Sequence, residues 1–208
     1  MQIRSLAIFG TIVQISPPLF ALIVNASFKL EGISEFLIYS YLGLIVWVTI
    51  GIASFLSGEL FGREVSQGAT LFYAQLPVTR FDRMFCKLSV VIVVLFFWYA
   101  ILVASSSILL LHYPTPNGFS YSKIPANASI LTTWLSAAAF AALVSERTGN
   151  VAAALLVSFV GCGTLTVACQ LSFQPNFGLP TLIIQGVVSF ALFSLLWLFR
   201  FDVELDKQ

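Results

Sequence analysis

The stretch LSVVIVVLFFWYAILVASSSILLL, residues 88–111, is an apolar run that contains no charged side chain. A helix needs about 20 mostly apolar residues to cross the hydrocarbon core of a bilayer. A membrane-spanning strand needs only about half that length, so a run this long predicts a helix rather than a barrel strand. The stretch therefore predicts an all-α integral membrane protein.

The composition of the whole chain agrees with this segment. Of the 208 residues, 59% are hydrophobic and only 9% are charged, whereas about 25% of the residues of a soluble domain are charged. The mean hydropathy is +0.96. A net charge of +1 gives no reason to expect a nucleic-acid partner. The environment that the composition predicts is the lipid bilayer.

Five other segments resemble residues 88–111, which predicts six transmembrane helices in a single domain, residues 1–208. The six predicted spans are residues 6–24, 36–56, 88–111, 130–144, 151–171 and 181–198. The fourth is short unless residues 126–129 belong to it. Arg4, the apolar run after it and Val24-Asn25-Ala26 also resemble a signal peptide, but we expect this segment to be retained as the first span.

The distribution of lysine and arginine predicts the orientation of the spans. Eight of the ten such residues fall in one set of connections, which the positive-inside rule assigns to the cytoplasm. Only Lys29 and Lys123 fall in the other set. Both termini are therefore expected in the cytoplasm, together with residues 62–87 and the turn at 145–150. The eight cytoplasmic residues are Arg4, Arg63, Arg80, Arg83, Lys87, Arg147, Arg200 and Lys207.

The predicted spans carry little that suggests chemistry. No Asp, Glu, Lys or Arg lies in the middle of a span, which argues against an ion-coupled transporter or an intramembrane aspartyl protease. We interpret the three cysteines as buried small hydrophobic residues, and their spacing predicts neither a metal site nor a disulfide. Ser105–Ser107 are interpreted as packing or backbone-bonding serines, and Pro17 and Pro18 are expected to kink the first helix. Gln170 is a candidate polar group on a pathway.

The charge of the chain is concentrated in one block, residues 62–87, between the second and third spans. Residues 64–76 show helical periodicity, with Val65, Ala69, Phe72 and Leu76 on one face. Pro77 ends this helix, and Thr79 with Asp82 forms a weak capping box for a helix that continues into the third span. The block therefore predicts an amphipathic helix, a break and a restart into the membrane. Such a helix lies in the headgroup region or docks in a groove of a cytoplasmic partner, and periodicity leaves both readings open.

The same block resembles the cytoplasmic loop of type-2 ABC transporter permeases, the membrane subunits of many exporters. Those loops carry an acidic residue, a Gly-Thr-Leu-like turn, an apolar helix, a Pro-Val-Ser-Arg-like break and a lysine that enters the third span. Here the acidic residue is Glu64, GATL occupies residues 68–71, PVTR occupies residues 77–80 and the lysine is Lys87. The inserted Ala69 departs from the family pattern, and Thr79 replaces the usual serine while keeping its hydroxyl.

The resemblance implies a permease that moves an apolar or amphipathic substrate such as a drug, a peptide or a lipid. It implies that residues 64–76 form a coupling helix against a separate ABC ATPase subunit, which would bind ATP and Mg. It also implies a dimer with a second permease copy or homologue, in the bacterial inner (plasma) membrane. The contact residues implied at the coupling helix are Glu64, Val65, Gly68, Ala69, Phe72, Leu76 and Arg80. Glu146 and Arg147 are candidates for a second cytoplasmic contact.

Alternative functions stay open at this stage. The permease of the cytochrome c maturation exporter, a haem-related branch of the family, has a similar size and loop spacing. A membrane enzyme would need a constellation around His112, Ser105–Ser107 or the loop charges, and none is evident. A non-transporting assembly protein would use the amphipathic helix on lipid or on an unrelated partner. The chain itself has no Gly-x-x-x-x-Gly-Lys-Ser/Thr loop, so we expect no enzymatic activity from it alone and no cofactor or metal within it.

Overall fold

The computed structural model describes residues 2–27, 31–66, 80–112, 124–172 and 178–205, all of them helical except Gly149 and Asn150. This confirms the all-α prediction for the described part of the chain. The helices, numbered here in chain order, are α1 Gln2–Ser27, α2 Glu31–Ser66, α3 Arg80–His112, α4 Ile124–Thr148, α5 Val151–Ser172 and α6 Gly178–Leu205.

Five of these helices are long and apolar enough to cross a membrane, which supports a multi-pass membrane protein. The five candidate spans lie in α2–α6, at Gly43–Arg63, Asp82–Ser107, Ala128–Thr148, Val151–Cys169 and Leu179–Leu196. The remaining predicted span, residues 6–24 in α1, is not among the five found within the described residues. Six spans and the orientation of the termini therefore remain predictions.

Two helix ends differ from the predicted spans in an informative way. α4 begins at Ile124, so residues 126–129 do belong to the fourth helix and give it a full membrane length. α2 continues ten residues past the predicted end of its span, to Ser66. Its backbone stays helical there because the fall in hydropathy after Leu56 marks the edge of the bilayer, not the end of the hydrogen-bonded helix.

Successive helices alternate in direction, as the contacts between them show. α1 runs parallel to α3, since Gly10 lies against Trp98 and Gln14 lies near Ser105. It runs antiparallel to α2, because Gln14 contacts Thr49 while Ser16, further along, contacts Tyr41, earlier in α2. The spans of α2 and α4 are each 56% buried, against 17–28% for those of α3, α5 and α6. α2 and α4 therefore form the centre of the bundle.

The contact between α2 and α4 is a seam of small residues. On α2, Ser57 lies against Ala138 and Gly62 lies against Ser145, and this part of α4 includes fully buried alanines. Small residues let helix backbones approach closely inside a membrane. The approach is close enough for the Ser57 hydroxyl to donate to the Ala138 carbonyl at 2.7 Å. The seam therefore holds the two central helices together by packing and a hydrogen bond between them.

Large aromatic side chains fill the rest of the interior. Trp98 and Trp134 are both fully buried, and the Trp134 indole donates to the Val46 carbonyl at 3.3 Å. Cys162 and Cys169 are buried as predicted, but the prediction for Cys86 was wrong because that thiol is exposed. Cys86 lies on the outward face of α3, and hydropathy alone does not say which face of a helix is turned inward.

Candidate functional site

The ends of four helices meet at one end of the bundle, which we call the charged end. The C-terminal ends of α2 and α4 lie side by side there, since a Cβ added at Gly62 would be 3.0 Å from the Cβ of Ser145. The start of α5 joins them through Val151, which lies against Gly58. The start of α3 joins through Lys87, whose Nζ lies 5.6 Å from the centre of the Phe61 ring. The charged end therefore brings together the two connections that the sequence predicts in the cytoplasm.

The charged side chains at this end are engaged rather than isolated. Arg63, Asp82 and Arg147 are exposed, while Lys87 and Arg83 are half-buried. The Lys87 ammonium lies over the Phe61 ring within the range of a cation–π interaction. The charged side chains at this end that make a further polar, ionic or ring interaction are those of Arg63, Asp82, Arg83, Lys87, Glu146 and Arg147. The result is a mixed-charge surface carried on packed helix ends, which suits contact with a polar partner.

The turn between α4 and α5 holds part of this surface in a defined position. Only Gly149 and Asn150 are outside the helices. Gly149 has a φ of 64°, and its N–H donates to the Ser145 carbonyl at 2.8 Å, which is the usual way for glycine to end a helix. The Asn150 side chain accepts from the N–H groups of Ala152 and Ala153 and so caps α5. Glu146 and Arg147 thus lie in the last turn of α4, not in a loop.

The predicted contact residues fall partly within the described structure. Glu64 and Val65 belong to the last turn of α2, so the separate helix predicted to begin at Glu64 does not begin there. Arg80 is the first residue of α3, and the predicted restart of a helix that runs into the third span is confirmed. Side chains of these three residues lie outside what the structure describes. The other predicted coupling-helix residues also lie outside the described residues; they are Gly68, Ala69, Phe72 and Leu76.

Sequence reasoning missed two buried glutamines inside the bundle. Gln14 and Gln185 are both completely buried. The glutamine that the sequence suggested as a pathway group was Gln170, whose side chain lies outside the described part. Each is an amide within a long apolar run, and that was the signal available in the sequence. Buried amides in a membrane need hydrogen-bond partners, so each marks a place where helices are joined.

Gln185 on α6 bridges two other helices. Its amide nitrogen donates to the hydroxyl of Thr166 on α5 at 3.0 Å, and its amide oxygen accepts from the hydroxyl of Thr133 on α4. Thr166 in turn donates to the Cys162 carbonyl at 2.8 Å. Both ends of the amide are therefore satisfied, and Gln185 holds α6 against α4 and α5.

Gln14 lies just before the two prolines of α1, where the helix lacks hydrogen-bond donors. Pro17 and Pro18 have no N–H, so the carbonyls of Val13 and Gln14 lose their usual helical partners. The Ser16 hydroxyl donates to the Val13 carbonyl at 2.7 Å. The Ser105 hydroxyl from α3 shares its hydrogen between the Gln14 carbonyl at 3.1 Å and the Leu102 carbonyl of its own helix at 3.0 Å. Ser105 therefore bonds backbone, as the sequence predicted, and the proline pair ties α1 to α3.

This arrangement predicts that the cost of losing Ser105 depends on Pro18. We expect Ser105→Ala to destabilise the protein by about 1 kcal/mol, the scale of hydrogen bonds between membrane helices. In a Pro18→Ala background the restored N–H can bond the Gln14 carbonyl, so the same substitution is expected to cost little. A double-mutant cycle of unfolding free energies in detergent measures the difference. Equal costs of Ser105→Ala in the two backgrounds would contradict the assigned bond.

The described residues offer no evident reaction centre. They contain no group of three or more His, Cys, Asp or Glu side chains placed to hold a metal ion. The buried polar groups there are hydroxyls and amides, some bonded to neighbouring helices and others to carbonyls of their own helix. No family model, no curated protein and no solved structure matches this chain. The described arrangement thus consists of a mixed-charge surface at the charged end and a bundle tied together by polar contacts.

Proposed function

We propose that this chain is the transmembrane permease subunit of an ATP-driven ABC exporter. The observation that carries the proposal is the block between α2 and α3, with Glu64, GATL, PVTR and Lys87 in the order typical of type-2 permease loops. ATP and Mg would bind to a separate ATPase subunit. A second permease copy or homologue would complete the complex in the bacterial inner membrane, and the cargo would be an apolar or amphipathic drug, peptide or lipid.

The geometry of the charged end supports this proposal. A coupling helix between α2 and α3 would sit beside the α4–α5 turn, because Gly62 packs against Ser145. The ATPase subunit would thus meet two connections at once, with Glu146 and Arg147 as its second contact. Force applied there would reach the two most buried helices directly, since α2 and α4 both end at this surface.

Co-purification tests the proposal directly. The chain would be extracted from its own host in a mild detergent, and the proteins that accompany it would be identified. We expect a stoichiometric soluble partner that has a phosphate-binding loop and hydrolyses ATP. A chain that purifies alone in several gentle detergents would overturn the proposal and favour an assembly protein or a membrane enzyme.

A pair of substitutions tests the coupling helix itself. Phe72→Asp places a charge on the predicted apolar face, where burying it in a groove is costly, and we expect it to abolish binding of the ATPase subunit while leaving membrane insertion intact. Thr70→Asp introduces the same charge on the other predicted face, two residues from Phe72 and therefore about 160° around the helix, and serves as the matched control. Pull-down of the ATPase subunit measures both. Normal complex formation by Phe72→Asp would remove the coupling-helix assignment and leave residues 64–76 as a membrane-surface element.

A further inference from the structure

Two buried polar atoms near the middle of α1 lack partners within the described residues. Gln14 and Trp98 are both completely buried. The amide nitrogen of Gln14 donates to the Thr49 hydroxyl at 2.6 Å, but Oε1 of Gln14 and Nε1 of Trp98 have no hydrogen-bond partner there. A buried polar atom left unbonded costs about 1–3 kcal/mol. One of the two atoms is an acceptor and the other is a donor.

The helix geometry directs both groups to the same part of the α1–α3 contact. The Trp98 ring lies over Gly10, and its Cε2, the carbon bonded to Nε1, is 2.5 Å from where a Gly10 Cβ would be. Gln14 is one turn further along the same face of α1, and helical side chains lean back towards the N-terminus. The Gln14 amide is therefore directed towards Gly10 and the indole.

The chemistry of this pair selects a narrow class of ligand. A cation would be repelled by the indole N–H, and an anion would be repelled by the amide oxygen. A neutral O–H group satisfies both, because its oxygen accepts one hydrogen bond while its hydrogen donates another. Complete burial of both side chains limits the ligand to a small one, and buried waters in proteins commonly bridge such pairs.

We propose that Gln14 and Trp98 bind one small O–H group, which accepts from the Trp98 N–H and donates to Gln14 Oε1. The group belongs to a water molecule or to a small hydroxyl compound. It would join α1 to α3 one turn before the prolines, beside the bond from Ser105 to the Gln14 carbonyl. This site does not depend on the proposed transport function.

Nuclear magnetic resonance of the full chain, labelled with ¹⁵N at tryptophan, tests the site in detergent micelles. The indole N–H signal of Trp98 would be assigned by its loss in Trp98→Phe. We expect this proton to show magnetisation transfer to a hydroxyl proton and to move upfield in Gln14→Met, which keeps the side-chain length but removes the acceptor. Gln185→Met is the matched control, because both ends of that amide bond to protein groups, and it should leave the Trp98 signal unchanged.

A phosphocholine detergent, whose headgroup carries no hydroxyl, distinguishes the sources of the hydroxyl. Transfer from water in this detergent identifies a bound water. Transfer seen only after a small alcohol is added identifies an exchangeable hydroxyl compound, and either result supports the site. A wild-type spectrum without transfer to any hydroxyl proton would overturn the proposal, and that measurement requires no variant to fold. A Trp98 signal that responds to Gln14→Met without such transfer would indicate a direct Gln14–Trp98 bond instead.

Discussion

Replacing Gly10 by alanine is expected to destabilise the bundle by about 2–3 kcal/mol, towards the upper end of the cost of overpacking a core. The added Cβ would lie 2.1 Å from Cζ2 of Trp98, far inside the contact distance of two carbon atoms. The indole has no room to retreat, since Trp98 is completely buried. Alanine is a better helix former than glycine by about 1 kcal/mol, so a loss of stability isolates the packing effect.

A compensating variant makes this prediction specific. Trp98→Phe removes the ring atoms that meet the new Cβ, so Gly10→Ala is expected to cost much less in the Trp98→Phe background. Thermal unfolding can be followed with a fluorogenic maleimide in a Cys86→Ser background, which removes the exposed thiol, because the buried thiols of Cys162 and Cys169 react only after unfolding. An unfolding temperature of Gly10→Ala at or above that of the wild type would show that α1 does not pack on Trp98 as described.

Replacing Gly62 by leucine is expected to have a comparable effect at the contact between α2 and α4. A Cβ at this position would be 3.0 Å from the Cβ of Ser145 and 3.3 Å from its carbonyl oxygen. The carbonyl is backbone and already accepts from the Gly149 N–H, so it cannot move without shifting α4 and the turn that follows. We expect a loss of about 3 kcal/mol, because overpacking at a backbone contact forces the helices apart.

The control for this variant lies on the same helix. Apart from its neighbours on α2, no atom of the described residues comes within 4 Å of a Cβ added at Gly43, so Gly43→Leu is expected to leave the unfolding temperature nearly unchanged. The same thiol-reactive assay compares the two. Equal unfolding temperatures for the two leucine variants would contradict the close approach of α2 and α4 at the charged end.

The sequence predicts the helices of this protein well because the bilayer imposes their length and composition. Runs such as residues 88–111 leave no alternative to a spanning helix. The ends were harder to predict, as α2 shows, because polarity marks the membrane boundary while backbone hydrogen bonds continue beyond it. The restart of α3 at Arg80 was predicted, since Pro77 and the residues after it give local signals that do not depend on the rest of the fold.

The polar contacts inside the bundle were not predicted, because they depend on which helices become neighbours. Nothing near Gln185 in the sequence indicates that Thr133 and Thr166 are its partners. Similarly, the proline pair predicts carbonyls without donors, but only the packing of α1 on α3 shows that Ser105 supplies one of them. The candidate site at the charged end was predicted in part: Glu146 and Arg147 lie there, while the predicted coupling helix awaits the experiments proposed above.

During synthesis, the pairing of α2 with α4 is delayed until α4 has been made. Ser57 donates to a carbonyl that lies 81 residues later in the chain, and ribosomes add about 5–20 residues per second, so the delay is about 4–16 s. During that interval α2 lacks its partner at the α2–α4 contact. Until α4 arrives, the Ser57 hydroxyl has no Ala138 carbonyl to bond, and a carbonyl of its own helix is the acceptor nearest in sequence. The chain therefore passes its first seconds with its central surface uncovered, when an insertion factor or a neighbouring protein has the greatest opportunity to bind it.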